Sequence, residues 1–144
     1  MLDTMLYTAV VWEVYMKIEV SFLEGQKLKA SFGKFEVISD QGECVGGNEE
    51  FPEPMDYFMA SMPLCAAFYI RTFCAKRDIS VEGISIVQND SKDEENKFKR
   101  TFSIDVKLPE SFPEKYKKAL VASANSCTVK KVIQNVPEFE INLV

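Results

Sequence analysis

Hydrophobic positions along the chain fall into one long helical stripe and several alternating runs. The longest apolar segment covers residues 54–76, PMDYFMASMPLCAAFYIRTFCAK. Within it Phe58, Met62, Cys65, Tyr69, Thr72 and Phe73 recur at helical spacing, which predicts a long helix with one buried stripe. Pro54 suits the first helical turn, Asp56 complements the positive helix start, and Lys76 and Arg77 complement its negative end. Pro63 lies deep inside this pattern, two residues before Cys65. It removes one backbone hydrogen bond, leaves the Met59 carbonyl without its usual partner, and predicts a kink.

The remaining segments read mostly as strands. Residues 5–23 are rich in β-branched and aromatic side chains, and 17–22 (KIEVSF) alternate polar and apolar. Glu24-Gly25-Gln26 is a turn, and the alternating run 28–38 completes a hairpin or meander, with Gly33 as a bulge or twist. Residues 40–54 form a Gly- and Pro-punctuated loop ahead of the helix. Strands are expected at 80–87 and 98–108, joined by the charged stretch 88–97. Ser111 and Glu114 form a capping box with Pro113 in the first turn, so a second long helix starts there and runs to about Asn135. Residues 138–144 read as a final short strand. The predicted order is β-β-α-β-β-α-β: one α+β domain over 1–144, with antiparallel sheets packed against two long helices. Residues 1–14 stay open as an N-terminal extension, an added strand or a dimer arm.

Composition narrows the function classes. With 144 residues the chain is long enough for one domain with a sizeable core. A net charge of −5, with no basic stripe, argues against nucleic acid as a partner. The N-terminal apolar stretch is interrupted by Asp3 and Glu13 and is too short to span a bilayer, so no membrane partner is expected and the location is read as cytoplasmic. Histidine is absent, which removes the usual general base, the commonest metal ligand and any Ser-His or Cys-His pair. Nucleophilic chemistry then falls to cysteine, helped by carboxylates, Lys or Arg.

Four cysteines are present, at positions 44, 65, 74 and 127, and none forms a CxxC pair, so no zinc site or other metal site is indicated. Cys65 and Cys127 sit in the middle of the two predicted helices. Each is readable as a small buried hydrophobe, or together as a thiol pair where the helices pack. Neither is expected at a helix N-terminus, so some positive group or hydrogen-bond donor elsewhere would have to favour a thiolate. Cys74, nine residues after Cys65, falls on about the opposite helix face and is read as packing. Cys44, in the GECVGG loop, is expected to be exposed.

The run GGNEEFPEPMDYFMASMPLC resembles the signature of the OsmC/Ohr family, the osmotically induced protein C and organic hydroperoxide resistance proteins: a Gly-rich loop, a proline, a carboxylate, an apolar helix with a small Ala-Ser step, and a cysteine. KYKKALVASANSCTVKKVI is similar to that family's later cysteine segment, and the resemblance covers roughly residues 15–144. It implies an intertwined homodimer and a thiol peroxidase acting on organic hydroperoxides. Cys65 would attack the peroxide as a thiolate, Cys127 would resolve the sulfenic acid as a disulfide, and a small dithiol such as a lipoyl group would reduce it, with no bound cofactor. Two departures stand out. No arginine precedes Arg71, so Lys17, Lys27, Lys29 or Lys34 would have to supply the cation that the family takes from its N-terminal strands, without the planar fork. Met55 occupies the place of the family's glutamate, and the adjacent Asp56 is the candidate catalytic carboxylate, equally readable as a helix-start charge. The alternatives to a peroxidase are a non-catalytic dimer that binds a small hydrophobic ligand and a redox sensor.

Overall fold

The structure, a computed structural model, describes residues 16–144 and resolves two compact units that divide after Pro54. The proposed role of residues 1–14 lies outside the described residues. In the first unit an antiparallel meander is built from β1 (Glu19–Phe22), β2 (Leu28–Phe32) and β3 (Phe35–Ser39). The run 28–38, read from sequence as one alternating stretch with a bulge, is thus two strands. Phe32 pairs with Phe35 across a two-residue turn whose first residue, Gly33, has φ +56°. That is the place at which a tight hairpin needs glycine, because a residue with a side chain rarely adopts so positive a φ. Below β3, Asp40 is 1% exposed and accepts the N–H groups of Asn48 and Glu50 at 3.1 and 3.2 Å. The loop after β3 is therefore wound around a buried carboxylate.

The second unit begins with α1 (Pro54–Ala75), followed by the hairpin of β4 (Ser85–Lys92) and β5 (Arg100–Lys107), then α2 (Lys117–Ala124) and α3 (Thr128–Gln134). Two small antiparallel sheets with three helices make the described chain an α+β fold, as the element pattern predicts. The hydrophobic stripe of α1 is rotated from the expected one. Met62, Ala66, Ile70, Phe73 and Cys74 are buried, whereas Phe58 is largely exposed. Ile70, Phe73 and Cys74 join Phe112 and Leu120 in a core that Ile84, Ile86 and Val106 of the hairpin side pack against. Each such side chain contributes about 1.5–3 kcal/mol of burial. Arg77 closes the helix end by lying 3.7 Å over the Phe73 ring and donating Nη1 to the Phe73 carbonyl.

Three further expectations are corrected. The strand expected at 80–87 runs from Ser85 to Lys92, because a turn with Gly83 at φ +78° precedes it. Residues 138–144 form no strand: alternation equips them to pair, but no strand of the described chain lies beside them to complete a ladder. The Ser111–Glu114 capping box is not formed. The residue before the helical turn Glu114–Tyr116 is Pro113, with no side-chain cap bond, and the single long helix predicted from there is broken after Ala124.

Candidate active site

Cys65 sits half-buried in the middle of α1, which runs without interruption through Pro63. The Met59 carbonyl that Pro63 deprives of a partner is satisfied from β4, by Gln88 Nε2 at 3.0 Å. A proline in the helix is thereby tolerated next to the cysteine.

Cys127 occupies the break between α2 and α3. The break has a local cause: Asn125 and Ser126 compete for backbone hydrogen bonds and favour turns over helix interiors. The N–H groups of Ser126 and Cys127 close back on Ser123 and Ala124 at 2.9 and 3.2 Å, and Cys127 then turns extended, with ψ 119°. Its sulfur accepts the Lys130 N–H at 3.4 Å, which makes Cys127 the N-cap of α3. The expectation that neither cysteine stands at a helix start is thus corrected. Asn-Ser before Cys-Thr is a start signal of the kind that marks helix N-termini, and it was legible in the sequence.

The first turn of α3 faces α1. The backbone amides of Val129 and Thr128 and the Cys127 thiol are the groups that favour charge on the Cys65 sulfur. Burial works against charge on Cys65, but these three donors outweigh it and hold its thiol below the ordinary cysteine value. Cys127 is 2% exposed, and burial pushes its thiol up, with the Cys65 sulfur adding to the rise. Besides Cys65, its S–H has the Met62 carbonyl as an acceptor at 3.8 Å. The pair is therefore asymmetric: its surroundings favour the thiolate at Cys65 and the protonated thiol at Cys127. The thiolate is the nucleophilic form of cysteine, and a second thiol brought to it is the group that closes a disulfide.

The other predicted residues lie elsewhere. Cys74 is fully buried in the core, where burial raises its thiol and the Arg77 charge counters only in part. Cys44 is exposed in the loop after β3. Asp56 stands in the first turn of α1, nine residues from Cys65 and about 13 Å of helical rise away, so the helix does not bring it to the sulfur. Lys17, Lys27 and Lys29 each bind a carboxylate of their own unit, Glu19, Glu50 and Glu36 at 2.7, 2.9 and 3.1 Å, and Lys34 lies over the Phe35 ring. Among the described residues no group of three or more His, Cys, Asp or Glu is placed to hold a metal ion. A cavity of about 570 Å³ opens beside Cys127, with Met62, Ala66, Phe102, Ile104 and Ile133 in its wall. The residues missed from sequence are the donors: the backbone of Thr128 and Val129, whose role follows from the helix break.

The sequence model of the family described as OsmC-like protein matches residues 46–142, more than half of the chain. No curated protein matches the sequence. Among solved structures the fold is similar to that of a Psychrobacter arcticus protein assigned to osmotic stress induction and detoxification, at 18% identity, covering 85% of this chain and 90% of that one with a TM-score of 0.66. An OsmC-like protein from Mycoplasma pneumoniae has 12% identity, 84% and 88% coverage and a TM-score of 0.60. An organic hydroperoxide resistance protein from Legionella pneumophila has 20% identity, 85% and 92% coverage and a TM-score of 0.52. At these identities the likeness concerns architecture alone.

Proposed function

The chain belongs to the OsmC-like family, and on that footing we propose that it is a thiol peroxidase that reduces organic hydroperoxides, with Cys65 as the attacking thiolate and Cys127 as the resolving thiol. One feature supports it above the rest: the surroundings of Cys65, two backbone amides and the Cys127 thiol, favour its thiolate, while Cys127 is held protonated. The Cys65 thiolate attacks the terminal peroxide oxygen. The O–O bond breaks, the alkoxide takes a proton and leaves as the alcohol, and Cys65 becomes a sulfenic acid. The Cys127 sulfur attacks that sulfur, water leaves, and a Cys65–Cys127 disulfide forms. An external dithiol, of which a lipoyl group is one kind, reduces the disulfide. The sum converts hydroperoxide and dithiol into alcohol, water and oxidised dithiol. Arginine is absent before Arg71, so charge stabilisation at Cys65 is assigned to backbone donors in place of a guanidinium. Asp56 enters as a carboxylate that complements the start of α1.

The working unit is proposed to be a cytoplasmic homodimer. Leu64 and Phe68, one turn apart on α1, are 69% and 62% exposed on the face away from the core, which a second copy would cover. Reduced protein mixed with cumene hydroperoxide is expected to gain a Cys65–Cys127 disulfide, read by peptide mass spectrometry, and to regain both thiols with a dithiol. Both thiols remaining reduced at millimolar peroxide would end this proposal. The cavity beside Cys127 favours one second reading, a binding protein for a small apolar ligand. Inert thiols together with a ligand retained in native mass spectrometry would select it.

A further inference from the structure

Tyr69 grips the helix break from two sides. Its hydroxyl lies 2.9 Å from Oγ1 of Thr128, the first residue of α3, and its backbone carbonyl accepts from Ser123 Oγ of α2 at 3.3 Å. It stands four residues after Cys65, on the same face of α1 and one turn further on. Thr128 therefore reaches α1 through its hydroxyl, which meets Tyr69, and its backbone amide is among the groups that favour charge on the Cys65 sulfur. The other anchor of α3 on α1 is its N-cap, Cys127, buried and with the Met62 carbonyl as acceptor for its thiol at 3.8 Å. The helix itself is seven residues long and none of them is fully buried, so packing alone holds it only weakly against α1. Hydrogen bonds weaken steeply as their geometry opens, so a small shift of α3 would weaken the effect of its N–H groups on the sulfur.

We propose that Tyr69 is a positioning residue for the reactive thiol, its hydroxyl bond to Thr128 latching the first turn of α3 against α1 beside Cys65 and Cys127. The latch deepens the peroxidase proposal and rests on Cys65 being the attacking thiol, but it belongs to the reduced protein and is read without peroxide.

The test is the pH profile of Cys65 alkylation by iodoacetamide in the full chain, followed by peptide mass spectrometry, with exposed Cys44 as the internal reference. Tyr69→Phe and Thr128→Val, which remove only a hydroxyl from the latch, are each expected to move the Cys65 midpoint to higher pH and to lower its thiolate fraction at neutral pH about threefold to tenfold. The double variant should shift no further than either single one, since both cut the same bond. Thr128→Ser, which keeps the hydroxyl, should retain the parent midpoint. An unmoved midpoint in both single variants overturns the latch, as does a shift that Cys44 shares. Should Tyr69→Phe fail to fold, Thr128→Val against Thr128→Ser decides alone, because Thr128 is exposed. A protein that ignores peroxide but shows the shift keeps the latch and loses the peroxidase. One that consumes peroxide with an unmoved midpoint loses only the latch.

Discussion

Asp40 and Cys74 are both sealed from solvent, and their surroundings act on them in opposite directions. Burial opposes charge on Asp40, but the N–H groups of Gln41, Glu50 and Asn48 and the charge of Lys27 overcome it, and the carboxyl is held below the usual aspartate value. A depressed carboxyl stabilises the fold above its unfolded value of about 3.9, and that contribution is lost as the pH falls through the folded value. Burial raises Cys74, and a raised thiol contributes fully below its unfolded value of about 8.5 and loses that contribution as the pH rises through the folded value. Thermal melts across pH should therefore show an acid limb to which Asp40 contributes and an alkaline limb to which Cys74 contributes. Asp40→Asn is expected to lower the melting temperature near neutral pH and to flatten the acid limb, with the gap to the parent closing as Asp40 protonates. Cys74→Ala should flatten the alkaline limb. Acid limbs of equal slope in parent and Asp40→Asn would show that the carboxylate does not hold its loop.

At the scale of elements, α1 survives a proline because a side chain from another element replaces the missing bond. Gln88 Nε2 meets the Met59 carbonyl, while Gln88 Oε1 is buried with no partner among the described residues. The amide is thus retained at some cost of its own, which singles out its N–H as the useful half. Gln88→Leu should leave the Met59 carbonyl unpaired and destabilise by about 1–2 kcal/mol in denaturant unfolding. In a Pro63→Ala background the helix regains its own donor, and the same substitution should cost about half of that or less. Equal costs in the two backgrounds would refute the compensation. This coupling marks where the sequence stops being legible. The periodicity of 54–76 announced a helix, Pro63 announced an orphaned carbonyl, and the alternation of KIEVSF and of residues 98–108 announced strands. Which side chain would meet that carbonyl depends on the register of β4 against α1, a tertiary fact with no local signal. The helix break at Asn125 and Ser126 was masked differently. The apolar positions on either side keep helical spacing, so periodicity concealed a turn that the polar residues themselves encode, and with it the donors that face Cys65.

For the whole molecule, the apolar character of α1 exceeds what the described residues cover. By length and composition this helix passes as a membrane span, yet it carries a buried face that packs into the core of its own unit. The opposite face, with Leu64 and Phe68, is bare, and the tail beyond α3 presents Phe139 and Ile141 at 87% and 100% exposure. Scattered exposed apolar residues need no explanation, but a bare stripe on the helix that carries the candidate nucleophile does. A second copy supplies an apolar face of the same kind, and a symmetric pairing lets one patch cover itself. A stable pair needs roughly 1,000 Å² or more of total burial, and the exposed face of α1 and the apolar tail are the surfaces proposed to supply it. Light scattering after size exclusion should therefore give the mass of a dimer for the parent chain. Leu64→Glu with Phe68→Glu should give a monomer whose circular dichroism is unchanged, because neither side chain belongs to the buried core. A monomeric parent chain would refute the homodimer outright, and a charged double variant that stays dimeric would move the interface off α1. Cys65 lies next to Leu64 on this helix. Peroxide consumption that falls with dissociation, while the pH midpoint of Cys65 alkylation stays at the parent value, would show that the second copy acts on the reaction without changing the acidity of the sulfur.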